Sequence, residues 1–265
     1  MELFANKKQF KRVVYVYSGK GGVGKSTICL NLAFALSNFG YKVGVFDGDL
    51  STPSMPNLVK GLDFTKPIMK GVIVLPSRYK NIALTSSGLL GIPSDGTFLS
   101  GQYLKGALYQ LLFGVKWDID ILLIDMPPGT TDLHKELFFS LKGEVLLVTT
   151  PHSTSYEDVI RGIALIERFN IPILGIVENM SYVKCDNCHH NIVLFPENSK
   201  KVLCEKIGIK YLLSFPFDSQ VSKMASRGLP YMNEPNLESS TASKYLDLLN
   251  IIISSGGDRN VPVSE

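Results

Sequence analysis

The stretch SGKGGVGKST at residues 18–27 has the residue types and the spacing of a loop that holds phosphate groups. Gly19 to Ser26 fits the pattern G-x-x-x-x-G-K-[ST], and this pattern lies between a predicted strand and a predicted helix. Glycines let backbone amides approach phosphate closely, and the start of a helix adds partial positive charge. We expect Lys25 to reach the β- and γ-phosphates of ATP and the Ser26 hydroxyl to bind Mg²⁺. The predicted nucleotide contacts are Gly19, Lys20, Gly21, Gly22, Val23, Gly24, Lys25, Ser26 and Thr27.

A second lysine, Lys20, follows the first glycine of this loop. Lys25 already supplies a positive charge for the loop's own nucleotide, and position 20 lies nearer the outer rim. A lysine there can reach a nucleotide in a facing subunit and stabilise the negative charge that develops during hydrolysis, as an arginine finger does. The alternative is an ordinary solvated surface lysine, and the residues alone leave both interpretations open.

Carboxylates follow two further predicted strands. Asp125 ends the apolar run ILLID, and a carboxylate in this place typically holds the magnesium shell of an ATPase. The next residues, MPPG, predict a rigid loop that senses the γ-phosphate, because proline fixes φ. Asp47 and Asp49 follow another strand in FDGDL. We favour Asp49 as the residue that positions the attacking water and contributes to the magnesium shell; the alternative is that both are ordinary strand-end polar residues.

Cys185 and Cys188 form a C-x-x-C pair within KCDNCHH, so that one turn can aim both sulfurs at one site. Tetrahedral thiolate sites need about four ligands. Because one chain offers a single convincing pair, an iron–sulfur site shared by two chains related by a twofold axis is one interpretation. A zinc site completed by His189 or His190 is another, and the residues alone do not choose between them.

Two other interpretations of the cysteine pair are weaker. The pattern C-x-x-C-H matches covalent haem attachment, but that chemistry normally follows export, and the first residues, MELFANKKQFKR, lack the apolar stretch of a signal peptide. A thioredoxin-like redox pair belongs at a helix start after an early strand, whereas this pair follows a late strand and a loop.

The elements that must position these residues alternate between apolar runs and helix-period segments. This alternation predicts an α/β fold with a doubly wound, mostly parallel β-sheet flanked by helices, in which ligands bind at the carboxyl ends of the strands. Predicted strands cover 12–18, 42–47, 71–75, 81–87, 119–125, 144–150, 171–179 and 210–215. Predicted helices cover 25–38, 101–113, 132–141, 155–168, 198–207, 219–227 and 239–252. The helix at 155–168 has a capping-box-like start, with Ser155 followed by Asp158.

Composition places the chain among ordinary globular proteins. Its 265 residues fit one domain over 1–265, with 1–10 and 254–265 frayed and the cysteine loop 181–190 inserted. The net charge of +3 does not by itself indicate nucleic-acid binding, and no apolar run reaches membrane-spanning length. We therefore expect a cytoplasmic protein with neither nucleic acid nor membrane as a partner.

Taken together, SGKGGVGKST, IDMPPGTTD and IVENMSYVKCDNCHH resemble the Mrp (ApbC-like) family of iron–sulfur cluster carriers. That family belongs to the MinD class of P-loop NTPases with a deviant Walker A loop. The likeness runs over about residues 11–232 and includes SGLL at 87–90 and FPFDSQV at 215–221. It implies a homodimer in which Lys20 crosses to the partner's nucleotide. It also implies slow ATP hydrolysis coupled to transfer of a [4Fe-4S] cluster, bridged by Cys185 and Cys188 of both subunits, to apoproteins with the help of assembly factors.

The resemblance further suggests that Asn179 contacts the adenine, with Pro216 and Asp218 nearby. The chain departs from the family pattern at 98–104, at 194–200 and at His152, which we interpret as a loop residue where glutamine is common. Two alternative functions remain: a spatial-organiser ATPase similar to MinD or ParA, and a P-loop metallochaperone that binds zinc. An organiser needs an amphipathic tail or a basic face, and neither is evident here.

Overall fold

The computed structural model describes residues 10–71, 73–90, 101–185, 187–195, 204, 207–234, 237 and 239–255. Seven α-helices are described: α1 Lys25–Asn38, α2 Met55–Val59, α3 Gly101–Phe113, α4 Asp132–Ser140, α5 Ser153–Arg168, α6 Ser219–Ser226 and α7 Ser240–Ser255. Two 3₁₀ turns cover Ser87–Leu90 and Tyr231–Asn233.

Eight of the described strands form one sheet. They are β1 Arg12–Tyr17, β2 Val43–Asp47, β5 Ser77–Tyr79, β6 Ile82–Thr85, β7 Ile121–Asp125, β8 Glu144–Thr149, β9 Ile173–Glu178 and β12 Tyr211–Ser214. The spatial order is β12-β9-β8-β1-β7-β2-β6-β5. All neighbouring pairs are parallel except β5 with β6 at the edge, which is antiparallel. The predicted fold class, a mostly parallel sheet flanked by helices, is therefore confirmed.

The central strands are apolar along their whole length because helices cover both faces of the sheet. In β1, every residue from Val13 to Tyr17 is buried, and successive side chains point to opposite faces. One hydrophobic core lies between the sheet and α1 with α7. The other lies between the sheet and α3, α4 and α5. This three-layer arrangement holds the carboxyl ends of the central strands in fixed positions.

Helix α1 is the most deeply buried helix around the nucleotide loop. Every residue from Ile28 to Ser37 is buried, and the helix ends before Gly40, whose φ of 90° is the left-handed conformation that favours glycine at a helix end. Because α1 is fixed by the core along most of its length, the loop that opens it is also held rigidly.

Two small hairpins lie outside the main sheet. Strands β3 (Ile68–Lys70) and β4 (Ile73–Leu75) pair antiparallel, and so do β10 (Tyr182–Lys184) and β11 (Asn191–Val193). The second hairpin carries the cysteine pair in its turn. The sequence predicted a strand at 71–75 but not its partner, and it did not predict β5, β10, β11 or α2.

The other predicted elements agree with the structure within a few residues, with one local exception. The helix predicted at 155–168 begins at Ser153, and His152 caps it by accepting a hydrogen bond from the amide of Thr154. Ser155 lies inside the helix, where its hydroxyl pairs with Thr150 Oγ1, so the capping role predicted for it was wrong. Of the helix predicted at 198–207, only Cys204 and Ile207 are among the described residues, and both are helical.

Two of the departures noted in the sequence fall partly outside the described residues, namely 98–100 within 98–104 and 196–200 within 194–200. Among the helices that the structure describes, none is both long enough and apolar enough to cross a lipid bilayer.

Candidate nucleotide site and cysteine hairpin

The predicted chemical groups meet at one edge of the sheet. Strand β7 lies between β1 and β2, and its last residue, Asp125, is in register with Val16 on one side and with Asp47 on the other. The three strands are parallel, so their carboxyl ends lie side by side. The loop after β1 and the carboxylates that end β2 and β7 are thus neighbours, as the sequence predicted.

The phosphate loop has the backbone conformation that its glycines allow. Gly22 and Gly24 have φ angles of 80° and 82°, and Gly24 is the residue that precedes α1. A β-carbon on Gly24 would lie 2.2 Å from Nδ2 of Asn179, and one on Gly19 would lie 2.3 Å from the backbone of Asp158. Both positions therefore require glycine, because neighbouring segments pack directly against the loop.

Lys25 and Asp125 form a buried ion pair in the centre of the site. The Lys25 ammonium lies 2.5 Å from Asp125 Oδ1, and the two side chains are 8% and 0% exposed. Lys25 Nζ is also 3.5 Å from the Ser26 hydroxyl. A lysine held in this place by a strand-end carboxylate is available to a phosphate group entering the loop.

Asp47 is a second fully buried carboxylate beside this pair. Its Oδ2 accepts hydrogen bonds from the Met55 amide at 3.2 Å and from the Ser86 hydroxyl at 2.9 Å. Burial, with a further contribution from the charge of Asp125, raises the pKa of Asp47 to about 7. Asp47 was not the carboxylate that the sequence favoured, because its burial depends on segments distant in the chain.

Two carboxylate oxygens in the site are buried without a hydrogen-bond partner among the described residues, Asp47 Oδ1 and Asp125 Oδ2. An unsatisfied buried acceptor is costly, and magnesium with its bound waters satisfies such oxygens. The Ser26 hydroxyl lies at the start of α1 beside Lys25. The residues present therefore fit a hydrated magnesium ion, with Ser26 and Asp125 as the groups predicted to hold it.

Asp49, predicted to position water, is half-buried and folds back on its own loop. Its two oxygens accept hydrogen bonds from the amide and the hydroxyl of Thr52, at 3.1 and 2.9 Å. Both bonds reach only three residues along the chain, so they close a local turn. The role of Asp49 in hydrolysis stays a prediction.

Lys20 contacts its own chain in this structure. Its ammonium donates to Thr154 Oγ1 at 3.0 Å, and Thr154 Oγ1 in turn pairs with His152 Nδ1 at 2.9 Å. His152 is therefore the cap of α5 as well as a loop residue. Lys20 and Thr154 both lie at the surface, so this contact is easily exchanged for another.

Asn179, Pro216 and Asp218 line one cleft next to the phosphate loop, together with Gly24 and Thr27. The cleft has a volume of about 120 Å³, several times the space that one water needs. Asn179 donates to the carbonyl of Val23 at 2.9 Å. Asp218 caps α6 by accepting from the Gln220 amide at 2.8 Å. The structure thus brings the three predicted base-side residues together, and contact with adenine stays a prediction.

His134 is a site residue that the sequence analysis did not identify. It is fully buried near the start of α4, and it contacts the MPPG loop through the carbonyl of Pro127 at 3.0 Å. The signal in the sequence is its position three residues after Thr131, the spacing of a capping box between a turn and an apolar run. Histidine is not a usual residue at that position, so the pattern was missed.

The cysteine pair lies in the turn of the β10–β11 hairpin. Cys185 is half-buried, whereas Cys188 and both following histidines, His189 and His190, are exposed. The turn is closed by two backbone hydrogen bonds of 2.9 Å, from Cys185 N to His190 O and from His189 N to Cys185 O. Next to it, Ile192, Val193 and Leu194 are each about half exposed. Within the described part of the chain, no group of three or more His, Cys, Asp or Glu side chains is placed to hold a metal.

The family of the chain is decided by a match to a family model described as ParA, NUBPL iron-transfer P-loop NTPase, which covers residues 9–253. The chain belongs to this family. It is 36% identical over 252 residues to a protein of Dictyostelium discoideum named as a cytosolic Fe-S cluster assembly factor NUBP2 homolog, covering 91% of this chain and 95% of that one. It is 35% identical over 260 residues to an iron-sulfur cluster carrier protein of Aquifex aeolicus, covering 94% of this chain and 70% of that one.

A solved structure gives the same result for the fold of this NUBPL-type NTPase. A nucleotide-binding protein from Archaeoglobus fulgidus, in complex with ADP, superposes with a TM-score of 0.73 and 30% identity over 89% of this chain and 94% of that one. Nucleotide binding and hydrolysis of the P-loop kind therefore agree with the geometry of Lys25, Asp125 and the glycine loop. The comparisons do not favour the spatial-organiser or the zinc-binding alternative.

Proposed function

We propose that this chain is an ATP-dependent iron–sulfur cluster carrier that works as a homodimer. One observation carries the proposal: the chain combines a preformed phosphate loop with a pair of accessible thiols in a hairpin turn. Slow ATP hydrolysis, with Mg²⁺, is coupled to transfer of a [4Fe-4S] cluster to apoproteins and exchange with assembly factors. The names carried by its relatives support the same activity.

The nucleotide half of the proposal assigns a task to each residue of the loop. Backbone amides from Gly19 to Thr27 hold the phosphates, and Lys25 neutralises the β- and γ-phosphates. Ser26 and Asp125 would hold the shell of a magnesium ion, which would supply positive charge to stabilise the negative charge of the phosphates. Asp49 orients the attacking water once the loop around Thr52 rearranges.

The base of the nucleotide belongs in the cleft beside Asn179. Pro216 contributes apolar surface to its lining, and Asn179 and Asp218 contribute polar atoms. Gly24 also lines this cleft, so the base-side residues lie next to the end of the phosphate loop. This proximity supports the assignment of adenine to this cleft.

The cluster half of the proposal follows from counting ligands. Cys185 and Cys188 supply two thiolates, and a four-iron cluster needs about four. A second copy of the chain, related by a twofold axis, supplies the other two. The exposure of Cys188 supports this arrangement, because a cluster held at the surface is accessible to a recipient protein.

The deciding experiment is anaerobic reconstitution of the full chain with iron and sulfide, followed by analysis of metal, sulfide and molecular mass. We expect about four iron and four sulfide per dimer, that is, about two of each per chain. Cys185→Ser and Cys188→Ser should each abolish cluster binding, whereas the matched control Cys204→Ser should retain it. Zinc without sulfide in the purified protein, or iron that survives both hairpin substitutions, would contradict the proposal.

A further inference from the structure

The loop at residues 126–131, which begins with MPPG and is called the MPPG loop here, connects the end of β7 with the start of α4. Few of its backbone groups can donate hydrogen bonds to the rest of the chain. Pro127 and Pro128 have no backbone N–H, so neither can donate a hydrogen bond to the phosphate loop. Gly129 does donate, to the carbonyl of Ser18 at 3.2 Å, with a φ of 74° that suits glycine. Met126 also donates, to the carbonyl of Val16 at 3.0 Å, whereas the two prolines can be held only through their carbonyls, which need a donor from elsewhere in the chain.

His134 supplies that donor. Its Nδ1 accepts a hydrogen bond from the Thr131 amide at 3.0 Å, so the ring proton must lie on Nε2. Nε2 then donates to the carbonyl of Pro127 at 3.0 Å. The two backbone groups that the ring contacts are at opposite ends of the loop, and one imidazole spans them.

The ring cannot turn away from these partners without disturbing the core. His134 is completely buried, and the edge of its ring meets Tyr17, the last residue of β1, with centroids 5.3 Å apart and planes at 78°. Burial, with a smaller contribution from the positive charge of Lys25, lowers the pKa of His134 to about 4. The imidazole therefore stays neutral at physiological pH and keeps one donor and one acceptor.

We propose that His134 is a positioning residue for ATP hydrolysis, which clamps the MPPG loop in the place where Asp125 and Gly129 face the phosphate loop. The assignment rests on ATP hydrolysis in the proposed function and does not involve the cysteine hairpin. Among the described residues, the hydrogen bonds of His134 go to Thr131 and Pro127 and not to the nucleotide loop or Asp125, so its effect passes through the backbone of the MPPG loop. We expect its loss to affect turnover far more than nucleotide binding.

The test compares three variants of the full chain. His134→Leu replaces the ring with an apolar side chain of similar volume and so removes both hydrogen bonds. His134→Gln carries an acceptor and a donor on one planar group and can reproduce both. Lys135→Gln is the matched control, since this neighbouring side chain is largely exposed and bonds only to Asp132 in the described structure. We expect kcat to fall about 10- to 100-fold in His134→Leu and to be largely restored in His134→Gln.

A second readout follows the loop directly. Hydrogen exchange at residues 129–131 should be faster in His134→Leu than in the wild type, with exchange in α1 and affinity for ADP unchanged. If His134→Leu does not fold, His134→Asn replaces it, because the shorter amide cannot span both partners and should give the same loss of kcat.

Several results would overturn the proposal. Normal turnover in a folded His134→Leu protein, equal losses of ADP affinity and kcat, or failure of His134→Gln to rescue a folded protein would each do so while leaving the proposed function intact. A wild-type protein that binds ATP but does not hydrolyse it would overturn hydrolysis and the role of His134 together. Cluster binding would then still be judged by the cysteine variants.

Discussion

Asp47 and Asp125 are buried carboxylates at the ends of neighbouring strands, and Lys25 forms its ion pair with Asp125. Asp47 accepts two hydrogen bonds, but these do not offset the loss of water around its charge. Its pKa is therefore raised from 3.8 to about 7. Such a group lowers the stability of the folded, ligand-free chain once it ionises.

This electrostatic setting predicts a pH-dependent effect of Asp47→Asn. Below pH 4 Asp47 is protonated in both the folded and the unfolded chain, so the variant and the wild type should be about equally stable. As the pH rises from about 4 to about 7, the unfolded chain loses this proton first, and the wild type loses stability that the variant keeps. This difference between the pKa of Asp47 in the unfolded and the folded chain corresponds to at most about 4 kcal/mol in the free energy of unfolding.

Urea unfolding of the nucleotide-free protein between pH 4 and 8 measures this effect. The control is Asp118→Asn, because the Asp118 side chain is 70% exposed and pairs only with the exposed Lys42 in the described structure. The free energy of unfolding of Asp118→Asn should change with pH in the same way as that of the wild type. If the free energy of unfolding of Asp47→Asn also changed with pH as that of the wild type does, the pKa of Asp47 would not be raised in the folded protein.

At this scale, the sequence predicts residues whose roles depend on short-range pattern. Lys25 and Asp125 were found because a glycine loop and a strand-end carboxylate are local features, and the structure places them in contact. His134 and the burial of Asp47 were not found. Both depend on contacts with segments distant in the chain, such as Tyr17 for His134 and Ser86 for Asp47.

At the scale of elements, helix α5 packs closely against β1 at a single glycine. A β-carbon on Gly162 would lie 2.3 Å from the hydroxyl of Tyr17, which is fully buried. Gly19, in the phosphate loop, also lies against α5, at the backbone of Asp158. The distance between this helix and the sheet therefore affects the position of the phosphate loop.

Gly162→Ala should push α5 away from Tyr17 and destabilise the fold by about 1–3 kcal/mol, since the core has no space for the added carbon. The matched control is Gly106→Ala in α3, where nothing lies within 4 Å of the added carbon. That change should be neutral or stabilise by about 0.5–1 kcal/mol, because alanine favours helix more than glycine does. Chemical denaturation of both variants measures the difference, and an equal response would contradict this packing argument.

The pattern of apolar runs was sufficient to predict the long elements, and it was insufficient for the short ones. Strands β1, β2, β7, β8 and β9 are buried on both faces, which leaves a clear trace in the sequence. Strands β10 and β11 have three residues each and are mostly exposed, so no apolar run marks them. The start of α5 was misplaced because its cap is His152, an unusual capping residue, whereas Ser155, a residue typical of caps, lies inside the helix.

At the scale of the whole molecule, the Lys20 side chain contacts only the surface hydroxyl of Thr154 in the described structure. A surface hydrogen bond of this kind contributes little to stability. A catalytic role of Lys20 between two copies of the chain can therefore be tested separately from any role in stabilising one copy. Catalysis should depend on Lys20, and folding should not.

Lys20→Ala is expected to abolish ATP turnover while its thermal unfolding and circular dichroism stay those of the wild type. The matched control is Lys116→Ala, an exposed lysine shortly before β7 and hence near the opposite end of the sheet. Turnover in Lys116→Ala should be normal. Unchanged turnover in Lys20→Ala would contradict a contribution of this lysine to hydrolysis.

Mixing two inactive proteins tests whether Lys20 acts across the dimer. Lys25→Ala subunits lack a working nucleotide site but retain Lys20, and Lys20→Ala subunits have the reverse defect. A mixture should recover part of the wild-type turnover, because each mixed dimer contains one complete site. No recovery, in a mixture shown by mass to form mixed dimers, would place Lys20 in its own site.

The cysteine turn belongs to a separate two-stranded sheet, since β10 pairs with β11 and not with any strand of the eight-stranded sheet. Oxidation of the thiols, or loss of whatever they hold, therefore breaks no hydrogen bond in the main sheet. A cell could lose the cargo function of this protein through damage at the hairpin while the damaged chains stayed folded and continued to consume nucleotide.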